Sequence, residues 1–327
     1  MIQAAIANPG GDREAEYGYR HLLEHLVAAR EPELDRQLET VGGTIGASTG
    51  RDLMRFWVSV PPSDLAMGLN AMKALLKPIT LRADDVAQER TILAREIGML
   101  TAEERGSVRA WEAIYGADGR DPIGVSASFA DATAEGLERL WRGMLVGPRL
   151  SLFASGPLDL DSTVDRLERL ARTFPDGPAP EWSGRTPVVA GSAGAGAFAL
   201  AVGSVDQRTT LATLATALAL ASEVEGSSVT YTPSPRDGVV LLQNPAASDE
   251  LRRVVHRGDT GLRNRSLNLA RRWIANRLDD AEGSSELRAT LAAFRAGLVP
   301  ERLSEVLAGV REPDLDAAFA RWKALAP

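Results

Sequence analysis

His21-Leu22-Leu23-Glu24-His25 constrains this chain more than any other segment, because it takes two of only three histidines in 327 residues and sets them four apart. On an α-helix, residues four apart lie one above the other, so both imidazoles reach a single ion about 2 Å away while Glu24 projects alongside. The segment is therefore expected to be helical, and its spacing is that of a zinc site. The chain has no cysteine, so disulfides and thiolate ligands are both excluded and the ion must be held by nitrogen and oxygen. Two protein ligands are too few for a catalytic zinc, which normally takes three and keeps a fourth position for water.

A third ligand is expected on a second helical stretch, Asp84 to Ile97, where apolar residues recur at helical spacing. Glu89 and Glu96 stand seven apart there, on one face two turns away from each other. One can ligate while the other supports, and spacing alone does not choose between them.

With these residues in view, the sequence resembles the pitrilysin/insulinase family of zinc peptidases, the inverzincins with His-x-x-Glu-His order, which includes the mitochondrial processing peptidase. Gly18 stands three before His21, as in the family's Gly-x-x-His-x-x-Glu-His pattern. The run from Leu38 to Asp52 resembles the family's Gly-Gly-x-x-Asn-Ala-x-Thr strand. Asp121-Pro122-Ile123-Gly124 resembles His-Pro-x-Gly, and the run from Leu150 to Asp159 resembles the strand that ends in Gly-Asp-x-Asp. The resemblance covers residues 1 to about 172 and fades beyond. It implies Glu96 as the third zinc ligand, Glu89 as its supporting neighbour and Glu24 as the base. It further implies that an extended peptide adds to the strand around Gly46, Ala47 and Ser48, and that Tyr231 meets the substrate. The implied fold is α+β, with two related lobes of antiparallel-rich sheet and helices closing as a clamshell.

The chain is long enough for two domains, and 44% hydrophobic residues supply packed cores. A Pro- and Gly-rich stretch at 173–197 reads as a linker between a zinc-binding domain at 1–172 and a reduced second domain at 198–327. Expected strands are an N-terminal one, Leu53–Val60, 149–155, Phe198–Val202, Ser228–Tyr231 and Val239–Gln243. Expected helices run near 64–77, 84–104, 106–115, 133–145, 161–172, Arg208–Ala221, 262–279, 284–296, 300–308 and 313–325. The N-terminus lacks a basic start and the long apolar core of a signal peptide, and no apolar run is long enough to span a bilayer, so a cytoplasmic protein is expected. A net charge of −7 argues against nucleic acid and favours basic substrates.

Departures from the family pattern bear on function. Gly46 stands where Asn is usual, which removes one side-chain bond to a peptide. Val224 stands where the second lobe normally carries an Arg, so half of the Arg/Tyr pair is absent even with Tyr231 counted. His256 has no acid or His at ligand spacing. The expectation is a zinc endopeptidase acting on an extended peptide or leader peptide, with a homologous partner subunit, or else a second copy, supplying the missing groups. The alternative is a noncatalytic scaffold subunit.

Overall fold

The computed structural model describes residues 1–8, 14–29, 32–181, 184–194, 196–232, 234, 236–258, 260–279, 288, 290 and 301–326. They form two compact units, each built on a four-stranded antiparallel sheet packed with helices, which is the α+β class expected. The first unit comprises Met1–Met99 and Asp121–Trp182, the second Leu100–Arg120 and Ser183–Pro327.

In the first unit, β1 (Ile2–Ala7) lies between β3 (Leu53–Ser59) and β4 (Leu150–Ala154), and β2 (Thr44–Thr49) pairs with β3, so the order is β2-β3-β1-β4. Alternation decides which face is buried. Ile2, Ala4 and Ile6 of β1 and Met54, Phe56 and Val58 of β3 enter one core. That core also takes Leu22, Leu23, Leu26 and Val27 from α1 (Tyr19–Ala28) and Ala71, Met72 and Leu75 from α3 (Leu65–Leu75). Trp141 of α6 (Ala134–Met144) closes it, fully buried and edge-on to Phe56. α2 (Pro32–Glu39), α4 (Ala83–Met99) and α7 (Leu160–Ala171) complete the unit, and α2 has no counterpart among the elements expected from sequence.

The second unit repeats the outline. β6 (Ala197–Val202), α8 (Arg208–Ala221), β7 (Ser228–Thr230) and β8 (Gly238–Gln243) follow the succession of β1, α1, β2 and β3, and the sheet order is β5-β6-β8-β7. α8 sits where α1 sits in the first unit and carries Thr, Leu and Ala, with no imidazole or carboxylate. α9 (Ser248–Arg257), α10 (Arg263–Asp279), α11 (Arg302–Ala308) and α12 (Glu312–Ala324) pack around it.

Two boundaries differ from the sequence reading. The helix expected over 84–104 ends at Met99, and α5 (Ala102–Tyr115) starts anew because Thr101 accepts from the Glu104 amide while the Glu104 carboxylate accepts from the Thr101 amide. This capping box satisfies the free donors of a helix start. α5 then joins the second unit, where Ala110, Ile114 and Tyr115 bury against Ala199, Val239 and Leu241. The second difference is in the stretch read as a linker, which contributes strand β5 (Gly191–Gly194) to the second sheet. The helix expected near 284–296 lies almost wholly outside the described residues. α9 was not expected.

Candidate metal centre

α1 begins at Gly18, whose φ of +81° is a left-handed conformation that L side chains rarely adopt. A Cβ at Gly18 would lie 3.2 Å from the Gly124 Cα, and a Cβ at Gly124 (φ +73°) would lie 3.0 Å from the Gly18 Cα. The two motif glycines, far apart in sequence, thus let two backbones touch at the mouth of the helix. Ile123 donates to Asp121 Oδ1 to shape that turn, and Arg51 donates to Asp121 Oδ2 at 2.6 Å. Arg20, fully enclosed, donates to the Arg51 carbonyl. Asp121, which replaces the family's His, therefore ties the end of β2 to the start of α1.

Below this clamp, α1 presents the motif. His21 is buried and its ring stands edge-on to that of His25, centroids 5.0 Å apart. Glu96 reaches in from α4, with Oε1 3.7 Å from His21 Nε2 and Oε2 3.2 Å from His25 Nε2. One ligand-type atom from each of His21, His25 and Glu96 falls within 4.8 Å of the others. Ligand atoms about 2 Å from a common tetrahedral ion lie a little over 3 Å apart, so two imidazole nitrogens and a carboxylate in this array fit zinc. Glu89 lies one step out, its Oε2 3.3 Å from His25 Nδ1. A carboxylate on the far nitrogen of a ligating imidazole fixes its tautomer and orientation. The structure thereby separates two glutamates that spacing left equivalent.

Glu24 is partly exposed on the same helix and accepts a 2.5 Å hydrogen bond from the Thr49 hydroxyl, at the end of β2. Thr49 lies inside the strand quoted from sequence yet was not singled out, and the contact is not visible in any spacing. Tyr19, at the head of α1, has its phenol pushed above the ordinary range by burial and by Asp131 and Glu16.

β2 is an edge strand. The bond from Gly50 N–H to the Leu53 carbonyl closes its hairpin with β3, and alternation from there turns the backbone of Gly46 and Ser48 toward β3 and that of Ile45, Ala47 and Thr49 toward the open edge. Ala47 thus offers main-chain groups to a neighbour, whereas Gly46 and Ser48 spend theirs inside the sheet. A Cβ on Gly46 would fall 2.2 Å from the Trp57 indole, so that ring occupies the space where the family's Asn would stand.

Tyr231 is 3% exposed in the second unit's core, tilted against Trp273 with centroids 6.1 Å apart. Val224 is buried in the same core. His256 Nδ1 lies 2.7 Å from the Ala326 carbonyl, a structural contact. Asp159 caps α7 by accepting from the Ser162 amide, and bonds from the Ser162 side chain and amide hold its carboxyl below the ordinary range. No helix among the described residues is long and apolar enough to cross a membrane.

Comparison with known proteins shows what this chain is similar to. An uncharacterized zinc protease of Mycobacterium tuberculosis is 26% identical over 156 residues, which cover 45% of this chain and 36% of that protein. The chain therefore spans little more than a third of the length of that relative. Among solved structures, a protease from Helicobacter pylori superposes with a TM-score of 0.80 at 15% identity, over 98% of this chain and 90% of that one. A peptidase M16 inactive domain from Pseudomonas fluorescens gives 0.74 at 14% identity, over 98% and 88%. The fold is thus shared by a protease and by an inactive domain. Residues 10–114, which hold His21, His25 and Glu96, match the family model for insulinase, peptidase family M16.

Proposed function

We propose that this chain is a zinc metalloendopeptidase in which His21, His25 and Glu96 hold the ion and Glu24 handles the proton. The observation that carries the reading is the convergence of three ligand-type atoms within 4.8 Å beside a carboxylate oriented by Thr49. A zinc ion bound there supplies Lewis acidity that activates water and polarises the scissile carbonyl. Glu24 takes a proton from the attacking water and passes it to the leaving amine, so that one C–N bond breaks as one C–O bond forms. Thr49 aims Glu24, and Glu89 holds His25 by its outer nitrogen. The free edge of β2 at Ile45, Ala47 and Thr49 takes an extended peptide as an added strand, whose main chain binds without regard to sequence. Leader-peptide trimming in the cytoplasm is the use we favour for such a site. Val224 offers no donor and Tyr231 is buried, which supports a homologous partner subunit as the source of these groups.

Elemental analysis and peptide hydrolysis on matched variants test the reading. Wild type is expected to bind one zinc per chain and His25→Ala none, while Glu24→Gln keeps its zinc and loses about 10²- to 10⁴-fold in turnover. Equal zinc in wild type and His25→Ala removes the site. Zinc binding with no hydrolysis under any condition, a partner included, leaves the scaffold-subunit alternative standing.

A further inference from the structure

A pocket of about 380 Å³ lies between α3 and α7 of the first unit, and its chemistry is unlike that of the metal centre. α3 lends it Leu69, Asn70 and Lys73, and α7 lends Arg166, Arg169 and Leu170, so each helix turns residues three and four apart toward one cavity. Leu69 and Leu170 belong to the core beneath and form an apolar floor. Three cations stand around that floor, and among the described residues no acid lines it.

These charges are unanswered within the chain. Among the described residues, no carboxylate pairs with Lys73, Arg166 or Arg169. Other exposed arginines do find a partner: Arg172 lies 2.8 Å from Glu168 on a different face of α7, Arg36 2.7 Å from Glu33, and Arg265 2.6 Å from Glu223. Lys73 and Arg169 sit in the last turns of their helices, where the macrodipole favours a cation. The dipole does not choose a face, however, and Arg166 lies a turn farther in. Like charges that converge on one concave site repel each other, and in a chain of net charge −7 they leave a local field that draws anions.

We propose that this pocket binds a small phosphate ester of two or more negative charges, its phosphate held by Lys73, Arg166 and Arg169 and its apolar body laid on Leu69 and Leu170. A guanidinium fork matches phosphate oxygens two at a time, and Arg166 and Arg169 offer two forks three residues apart. A phosphate carries about two charges and three acceptor oxygens in one group, so it answers three cations within a smaller space than carboxylates of one charge each. The Asn70 amide adds a neutral donor beside them. The volume falls in the range of small-molecule sites, about 300 to 1,000 Å³, and is too small for a folded partner. A phosphate ester reaches this surface either free in solution or as the headgroup of a lipid.

Calorimetric titration of the full chain with ADP, and its sedimentation with phosphatidylcholine vesicles with or without phosphatidic acid, separate the two sources. ADP binding assigns a soluble ligand, and binding confined to vesicles that contain phosphatidic acid assigns a headgroup. For whichever probe binds, Arg166→Gln and Arg169→Gln are each expected to weaken affinity about tenfold, the worth of a hydrogen bond to a charged group. Both side chains are exposed, so the fold is retained. Arg172→Gln removes an equal charge from another face of α7 and is expected to leave affinity unchanged. His25→Ala should also match wild type, which excludes capture of ADP by a zinc ion as the source of the heat. Failure of both probes overturns the proposal. So does binding that survives Arg166→Gln combined with Arg169→Gln, falls equally with Arg172→Gln, is lost in His25→Ala, or is equalled by citrate, which carries carboxylates alone.

Discussion

Thr49 shows how much of a site can rest on a side chain that touches neither metal nor substrate. Its hydroxyl donates to Glu24 across the gap between β2 and α1, and a hydrogen bond to an ionised group contributes more than a neutral one because the charge strengthens it. Thr49→Val keeps the β-branched shape and removes the donor, so the carboxylate swings freely while the three ligand residues are untouched. Turnover is expected to fall roughly tenfold, the equivalent of about 1.5 kcal/mol, with zinc content unchanged. Thr49→Ser should retain most of the rate. Loss of zinc in Thr49→Val, or a rate equal to wild type, removes Thr49 from the positioning of Glu24. Gly46 makes the complementary point. Its missing side chain reads in sequence as a lost hydrogen bond, yet in the folded strand it is the space into which the Trp57 ring fits.

At the scale of elements, periodicity carried the reading where one face of a helix or strand is buried and failed where a local cap or a distant partner decides. β3, α3 and α6 were legible because their apolar residues alternate or recur with the period of the element that buries them, and β8 and α8 because apolar runs of strand and helix length are buried on both sides. The juxtaposition of His21 and His25 was legible because four-residue spacing has one geometric meaning on a helix. The partition of Glu89 from Glu96 was not legible in the spacing, since both share a face; the family resemblance implied it, and α4 brings Glu96 near both imidazoles and Glu89 near His25 alone. The break before α5 was written in Thr101-Ala102-Glu103-Glu104, a capping signature that the surrounding helical pattern hid. Nothing in α5 alone tells that it completes the second unit's core, where Tyr115 donates to the Gly238 carbonyl. Burial, with the negative charge of Asp237 behind it, pushes the Tyr115 phenol up to about 12. An unfolded phenol titrates near 10, so the folded state holds its proton longer, and the stability this provides is present below pH of about 10 and is lost as pH climbs toward 12. In an absorbance titration of the folded chain, one of the four tyrosines should ionise late in that window, and Tyr115→Phe should abolish that step. A Tyr115→Phe chain with an unchanged titration curve contradicts the assignment.

The whole molecule is asymmetric in chemistry although its two units share a strand order. α1 carries two imidazoles and a carboxylate, and α8, in the same place in the second sheet, carries Thr, Leu and Ala packed into a core. Conversely, Val224 and Tyr231, the positions at which the family resemblance places donors to a substrate, are both 3% exposed. A donor missing from an oxyanion-stabilising site costs about 10²- to 10³-fold in rate. The isolated chain, even with zinc and Glu24 in place, should therefore hydrolyse peptides slowly, and a homologous subunit bearing an exposed Arg and Tyr should raise the rate by about that factor. Three hydrolysis assays decide the matter: this chain alone, the candidate partner alone and the mixture, each with its mass measured in solution. The mixture is expected to form a species heavier than either component and to lose its added activity when this chain carries Glu24→Gln, because the proton step stays on α1 whichever subunit supplies the donors. If the lone chain already cleaves peptides as fast as any mixture, the two-subunit reading fails, and a group within the chain itself must stabilise the transition state.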